Sequence, residues 1–346
     1  MIAELEINLS NIKKNWMYLD TLSTKDTETG AVLKADAYSL GVREIAPALW
    51  EAGARSFFVA TTEEALELNN YLPQNKKIYI LNGYNTKYRK AIDSYSFIPV
   101  LNTSSQLNSF IDFHPTNKTC LQIDIGMKRL GFQDNELKKY EKIISKLNLD
   151  LLIGHLSCAD EKENSANGSE LLYFNSKTNK LMKFNRSIAA SHGIFLGQSY
   201  HFNVTRPGIA LFGGVREKEL LDVVNIKLPV LQSHYLKPYD GVGYGLTYKT
   251  KSKKRVATLF GGYADGIIRN LSQKGYLYHN SIPCPILGRI SMDLVTVDIS
   301  HLKTIPKFLN LLGSSQSIND LADKAGTISH EILTSLGSRF LRTYIN

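Results

Sequence analysis

Short apolar runs alternate with amphipathic stretches over the first two thirds of the chain. Residues 3–7 (AELEI) read as a strand, and Ser10 is a candidate N-cap for the helix NIKKNWMYLDTL, whose Ile12, Trp16 and Leu19 fall at helical spacing. Eight apolar runs then follow. AVLKA precedes the helical VREIAPALWEAG, FFVA precedes TEEALELNNYL, IYIL precedes TKYRKAIDSY, and IPVL precedes TSSQLNSFIDF. CLQID precedes DNELKKYEKIISKL, LLIGHLS precedes SELLYFNSKTNKLMKF, SIAAS precedes an irregular segment, and GIALFG ends the series. Strands separated by helices predict right-handed βαβ units, and this many units predict closure into a parallel barrel. The fold class is therefore α/β, with an N-terminal (β/α)8 TIM-type barrel over residues 8–221.

From about Asp222 the texture changes to strands without intervening helices: VVNIKLPVLQSHYL, RVATLF, YLYHN, CPILG and LVTVDIS, broken by Gly, Pro and Asn. Residues 222–346 thus read as a C-terminal, mostly antiparallel β domain with one helical interruption near INDLADKAG. A length of 346 residues suits two domains.

Composition narrows the function classes. The amino terminus, MIAELEINLSNIKKN, places acidic residues inside its apolar alternation and lacks the unbroken core of a signal peptide, and no stretch approaches a membrane span. Cys120, Cys158 and Cys284, odd in number and far apart, point to reduced thiols and a cytoplasmic setting. A net charge of +9 invites a nucleic-acid reading, but the densest cluster, KTKSKKR at 249–255, is a loop-like tract with no recognition motif beside it. Nucleic acid and membrane are therefore not expected as partners. Histidines are scattered with no HExxH or Cys-x-x-Cys pair, so no metal centre is expected. The glycines of GVGYG lack the strand and helix context of a nucleotide loop, and there is no GxSxG elbow.

Candidate chemistry lies where the barrel reading puts it, just beyond the strands. Lys34 ends the first apolar run, Arg129 follows the fifth, His155 ends the sixth, Ser191 ends the seventh, and Arg206 precedes the eighth. A strand-end lysine by itself is ordinarily a side chain reaching water. In a crowded rim, desolvation lowers its pKa until the free amine is a nucleophile.

The stretch AVLKADAYSLG (31–41), followed in order by DIGMKRLG (124–131), VTRPGIALFG (204–213), GYG (243–245), GGYADG (261–266) and GRISMD (288–293), resembles the pyridoxal-phosphate-dependent alanine racemases. The resemblance runs from about Ile7 to the end of the chain, and the ordered set is far more specific than any one motif. It implies a homodimer with composite sites that interconverts L- and D-alanine by two-base proton transfer on the coenzyme's imine, supplying D-alanine for peptidoglycan. It implies that Lys34 carries pyridoxal 5′-phosphate and acts as one acid/base, with Tyr244 of a second copy as the other. Tyr38, Ser191, Gly208, Ile209 and His330 correspond to phosphate contacts, and Arg206 to the group facing the pyridine nitrogen. His155 corresponds to the neighbour that links Tyr244 to Arg206. Arg129 corresponds to the arginine that helps hold the substrate carboxylate, Met292, by its backbone, and Asp293 to partner-subunit groups that complete the substrate site, and Tyr263 to an aromatic at the entrance. Residues 1–7 join the second domain by the same resemblance. Asp265 and Arg269, near Tyr263, read instead as a turn-stabilising pair.

Three positions depart from the family's pattern. Gln122 stands where many members carry a carbamylated lysine, and its amide is expected to hydrogen-bond Arg129 without adding charge. Ala190 replaces the usual asparagine beside Ser191, and His330 replaces a tyrosine. Alternative readings are a racemase of serine or another small amino acid on the same fold, a related decarboxylase, and a non-catalytic pyridoxal-phosphate-binding protein. Arg206 speaks against the decarboxylase, whose ring nitrogen is expected to meet a carboxylate. The β-rich half bearing Tyr244 and Met292 speaks against the carrier, usually a lone barrel.

Overall fold

The computed structural model describes residues 2–181 and 183–346. The chain divides into two compact units: residues 13–37 with 41–211, and residues through Ile12 with 38–40 and 212–346.

In the first unit, strands Ala31–Val32, Ser56–Val59, Lys77–Ile80, Ile98–Leu101, Thr119–Gln122, Leu149–Ile153 and Asn185–Ser187 pair in that order, all parallel. An eighth segment, Val204–Thr205, closes the ring. On one side it pairs with Glu28–Thr29, with Gly30 N donating to Thr205 O (2.9 Å) and Val32 N to Pro207 O (2.8 Å). On the other, Asn203 N donates to Arg186 O (3.0 Å) and Arg206 N to Ala189 O (2.9 Å). Strand side chains Val32, Phe58, Tyr79, Val100, Cys120, Leu151 and Val204 fill the interior, Phe58 stacking on Tyr79 with ring centroids 4.5 Å apart. Burying each large apolar side chain contributes about 1.5–3 kcal/mol, so the barrel is a packed core that leaves chemistry to its rim.

The closing strand is not GIALFG. Residues Ile209–Phe212 form a 3-10 turn, and the two-residue strand lies just before them, so Arg206 follows the eighth strand instead of preceding it. The apolar run misled because IALF is buried as a turn, and apolar content alone does not separate a buried strand from a buried turn. The first helix, Leu9–Thr21, likewise starts before Ser10; Asn8 Oδ1 accepts the Asn11 amide at 2.8 Å and does the capping.

The second unit is built on an eight-stranded sheet. Its spine is Val224–Leu236, which pairs antiparallel with Glu4–Asn8 and Phe308–Leu312 along its first half and with Lys254–Phe260 along its second. A register shift between Val230 and Gln232 separates the halves. Glu4–Asn8 also pairs, parallel, with Leu341–Ile345. The helix near INDLADKAG is Ile318–Ala325, opened by a Ser317/Asp320 capping box and closed by Gly326 at φ 69°. Strands Phe308–Leu312 and Leu341–Ile345 were not expected: the first is a short apolar run behind a proline, and the second alternates exposed and half-exposed positions at an edge. Among the described residues, no helix is long and apolar enough to cross a membrane.

Candidate active site

Lys34 leads into a run of five consecutive non-glycine residues with positive φ, the longest among the described residues. Leu33 is still tied to the neighbouring strand through its amide to Phe58 O (2.9 Å), and Lys34 begins the six-residue helix Lys34–Ser39. That helix is left-handed: Ala35, Asp36, Ala37, Tyr38 and Ser39 have φ of 54, 53, 51, 60 and 62°. L-residues pay about 1–2 kcal/mol each for this hand, so five in a row must be held from outside. Part of the holding is local, since Asp36 accepts from the amides of Gly41 (3.0 Å, by its carbonyl) and Val42 (2.7 Å, by its carboxylate). Ala35→Gly, at an exposed left-handed position, is expected to stabilise the protein by about 1 kcal/mol, because glycine carries no penalty there. A denaturant titration checks this, and destabilisation would show that the turn has the other hand.

Lys34 opens to solvent in the single chain, yet enough protein surrounds it that desolvation leads the lowering of its ammonium pKa, followed by the charge of Arg129; Glu64 opposes both. His155 is half-buried at the end of its strand. Desolvation first, and then Arg206, Arg129 and Lys34, hold its pKa down at about 3, so the imidazole is neutral at physiological pH. Arg129 thus acts on Lys34, and Arg206, Arg129 and Lys34 act on His155, although the sequence scatters the four over more than 170 positions.

Arg206 is the buried member. One terminal nitrogen donates to the Ser187 hydroxyl and the other to Gly154 O (2.8 Å), so the ends of two neighbouring strands orient the guanidinium plane. Burial lowers its pKa to about 10, which still leaves it protonated at neutral pH. Arg129 is exposed on a loop that Asp124 builds, its carboxylate accepting the amides of Gly126 and Lys128, both at 3.1 Å. Gln122 donates to Leu130 O at 3.3 Å; the expected bond to Arg129 is replaced by one that braces the loop carrying it.

Ser191 is buried, and its Oγ accepts the amides of Gly208 (2.9 Å) and Ala210 (3.1 Å). With both lone pairs engaged, its own hydroxyl proton is left to donate. Ile209, between those amides, begins the 3-10 turn. Ala190 forms an isolated parallel bridge with Arg206, which makes it part of the barrel's closure.

The second unit carries the remaining candidates. Tyr38 is buried between Phe212 (ring centroids 5.1 Å apart) and His330 (6.0 Å), and burial raises its phenol well above the ordinary range, so it stays protonated. Tyr244 sits at the tip of the small hairpin Gly241–Val242/Tyr248–Lys249, 70 % exposed, between Gly243 (φ 69°) and Gly245 (φ 71°). Those glycines permit the left-handed turns that turn the phenol outward. Tyr263 and Met292 are also exposed.

Their loops are joined by Arg339, which the sequence reading passed over. Its Nε and Nη2 donate to the two oxygens of buried Asp265 (2.7 and 2.8 Å), and Nη1 donates to Asp293 (2.7 Å). Asp265 also accepts the Gly262 amide (2.9 Å), and the Ala264 amide donates to Met292 O (3.0 Å). Asp265 therefore pairs with Arg339 and not with Arg269. Only the fold brings position 339 to 265, so no local signal could have revealed it. Arg339→Ala leaves the buried Asp265 carboxylate without its ionic partner and is expected to lower the midpoint of chemical denaturation, an unchanged midpoint showing that the clamp is not stabilising.

A barrel whose rim gathers an activated amine and several cationic groups asks for an anionic ligand, because Arg129 lowers the pKa of Lys34, and Arg206, Arg129 and Lys34 lower that of His155. Ser191, with only a proton to give, and the Gly208 turn suit a phosphate, and Lys34 suits an aldehyde. These features, with the β-sheet unit, define a pyridoxal-phosphate enzyme of the barrel type. Family models described as alanine racemase N-terminal domain and alanine racemase C-terminal domain match residues 7–216 and 223–344. An alanine racemase of Cereibacter sphaeroides is 41 % identical over 342 residues, covering 99 % of this chain and 98 % of its own. A catabolic alanine racemase of Agrobacterium fabrum is 35 % identical, covering 99 % and 92 %. The crystal structure of Bartonella henselae alanine racemase with covalently bound pyridoxal phosphate superposes with a TM-score of 0.95 at 37 % identity, covering all of both chains. The chain belongs to the alanine racemase family.

Proposed function

We propose that this protein is an alanine racemase interconverting L- and D-alanine with pyridoxal 5′-phosphate, working as a homodimer in the cytoplasm. The observation that carries the reading is the placement of Lys34, its amine pKa lowered, with Arg129, His155 and Arg206 on the strand ends of a closed barrel. When bound, the coenzyme draws electrons from the substrate's α-carbon and so weakens its C–H bond. Lys34 tethers the coenzyme and moves the α-proton on one face; Tyr244 of a second copy moves it on the other. Two bases are required because a proton taken from one face must return on the opposite one.

Ser191, Gly208, Ile209, Tyr38 and His330 are assigned to the phosphate. Arg206, protonated and oriented by Ser187 and Gly154, is assigned to the pyridine nitrogen, to which it yields no proton. The weaker electron sink that results favours return of the proton over side reactions. Arg129 is assigned to the substrate carboxylate, Met292, by its backbone, and Asp293 to the groups a second copy lends to complete the substrate site, Tyr263 to the entrance, and neutral His155 to the chain between Arg206 and Tyr244. Exposure of Tyr244, Tyr263 and Met292 in the single chain suits residues that complete another copy's site. Residues 8–221 act as the coenzyme domain and 222–346, with 1–7, as the domain lending Tyr244.

Incubating the purified protein with L-alanine and, separately, L-serine in deuterated water tests this. D-alanine carrying deuterium at the α-carbon is the expected product; D-serine alone would name a different substrate, and neither product would mark a carrier. Sedimentation at micromolar concentration is expected to give a dimer. A role in peptidoglycan supply predicts a D-alanine requirement when the gene is deleted.

A further inference from the structure

The left-handed turn after Lys34 needs an external hold at its first residue, and the structure contains one. Ala35 N donates to Glu64 Oε1 at 2.8 Å, while Glu64 Oε2 accepts the amides of Ala60 (2.6 Å) and Thr61 (3.3 Å). Glu64 is also the third residue of the helix Thr62–Asn69, where its own amide donates to Thr61 Oγ1 (3.3 Å) in a capping box. One carboxylate thus ties the exit of the strand Ser56–Val59 to the residue that follows Lys34. A capping-box glutamate reaches back to the amide of its own N-cap; this one divides its oxygens between two strand ends.

We propose that Glu64 is a positioning residue for Lys34, holding the amine's backbone in register through the Ala35 amide. The proposal rests on the assignment of Lys34 as the coenzyme's attachment point. A shift of about an ångström or a few tens of degrees at Ala35 re-aims the side chain before it, and reactive groups tolerate little misplacement. Glu64 also carries a negative charge that raises the pKa of Lys34, which Arg129 faces from the loop after Thr119–Gln122 and His155 from the end of Leu149–Ile153.

Position and charge have opposite consequences, and that makes them separable. Glu64→Gln removes the charge that favours the ammonium, so Lys34 should titrate at lower pH and offer more free amine at neutrality. If charge were the whole role, coenzyme would load faster. A positioning role predicts that it loads more slowly in spite of the extra free amine.

The test uses the full-length apoprotein. The pH midpoint of Lys34 is read by trace acetylation with acetic anhydride and peptide mass spectrometry, and loading of pyridoxal phosphate by stopped-flow absorbance at neutral pH. Glu64→Gln is expected to lower the midpoint and to slow loading about tenfold. Glu64→Asp, which keeps the charge on a shorter arm, is expected to hold the midpoint and slow loading. Glu63→Gln, one residue away and bonded to Tyr88, is expected to change neither. Loading as fast as or faster than the parent's in Glu64→Gln, or equally slowed in Glu63→Gln, overturns the proposal. The midpoint is measured without coenzyme or substrate, so failure here is distinct from absence of racemisation, which would sink the underlying assignment.

Discussion

Lys34→Ala is expected to lower alanine racemisation by at least about 10⁴-fold and to leave no coenzyme fixed to the chain by borohydride. The effect is large because one side chain does two jobs, tethering the coenzyme and moving a proton on one face. Misfolding is a poor competing explanation. Lys34 is exposed at the mouth of the strand and belongs to no buried apolar cluster, so its loss empties no core site. The thermal midpoint of the apoprotein is expected to stay within about 2 °C of the parent's. If borohydride still fixes pyridoxyl mass to the Lys34→Ala protein at one site, the tether lies elsewhere.

Tyr244→Phe is expected to slow α-proton removal from one enantiomer of alanine by about 10²–10⁴-fold and to affect the other enantiomer much less. Phenylalanine keeps the ring and deletes the only group able to carry a proton, and at a site this exposed it leaves no buried polar partner unsatisfied. Fold and coenzyme loading are therefore expected to be preserved. The measurement is exchange of the α-hydrogen for solvent deuterium, started from each enantiomer separately and normalised to bound coenzyme. Equal slowing from both sides would count against two separate bases. Mixing inactive Lys34→Ala with inactive Tyr244→Phe subunits extends the test: if the tyrosine serves the other copy's site, a mixed dimer contains one intact site and recovers up to half of the parent's activity per dimer.

Much of this molecule could be read before any coordinates. Apolar runs separated by amphipathic helices locate seven barrel strands, because a strand buried on both faces must be apolar and a helix laid on it must be amphipathic. The change of texture near residue 222 has the same kind of cause, since antiparallel strands need only short turns between them. Failures occurred where burial came without regular structure. IALF is as apolar as any barrel strand but is a 3-10 turn, and the closing strand is two residues long, too short for any pattern. Edge strand Leu341–Ile345 has no buried face to impose one.

The order of the chain by itself determined that a lysine would emerge at a strand end and that Arg129, His155, Ser191 and Arg206 would lie close to strand ends, because strand periodicity is a local property. Only the tertiary structure decided how those groups act on one another. The hand of the turn behind Lys34, the division of Glu64 between two strand ends, the diversion of Gln122 to Leu130 and the clamp of Arg339 on Asp265 and Asp293 all join residues distant in sequence or set against local preference. Propensity cannot foresee them, since each is stable only when the rest of the fold supplies the partner.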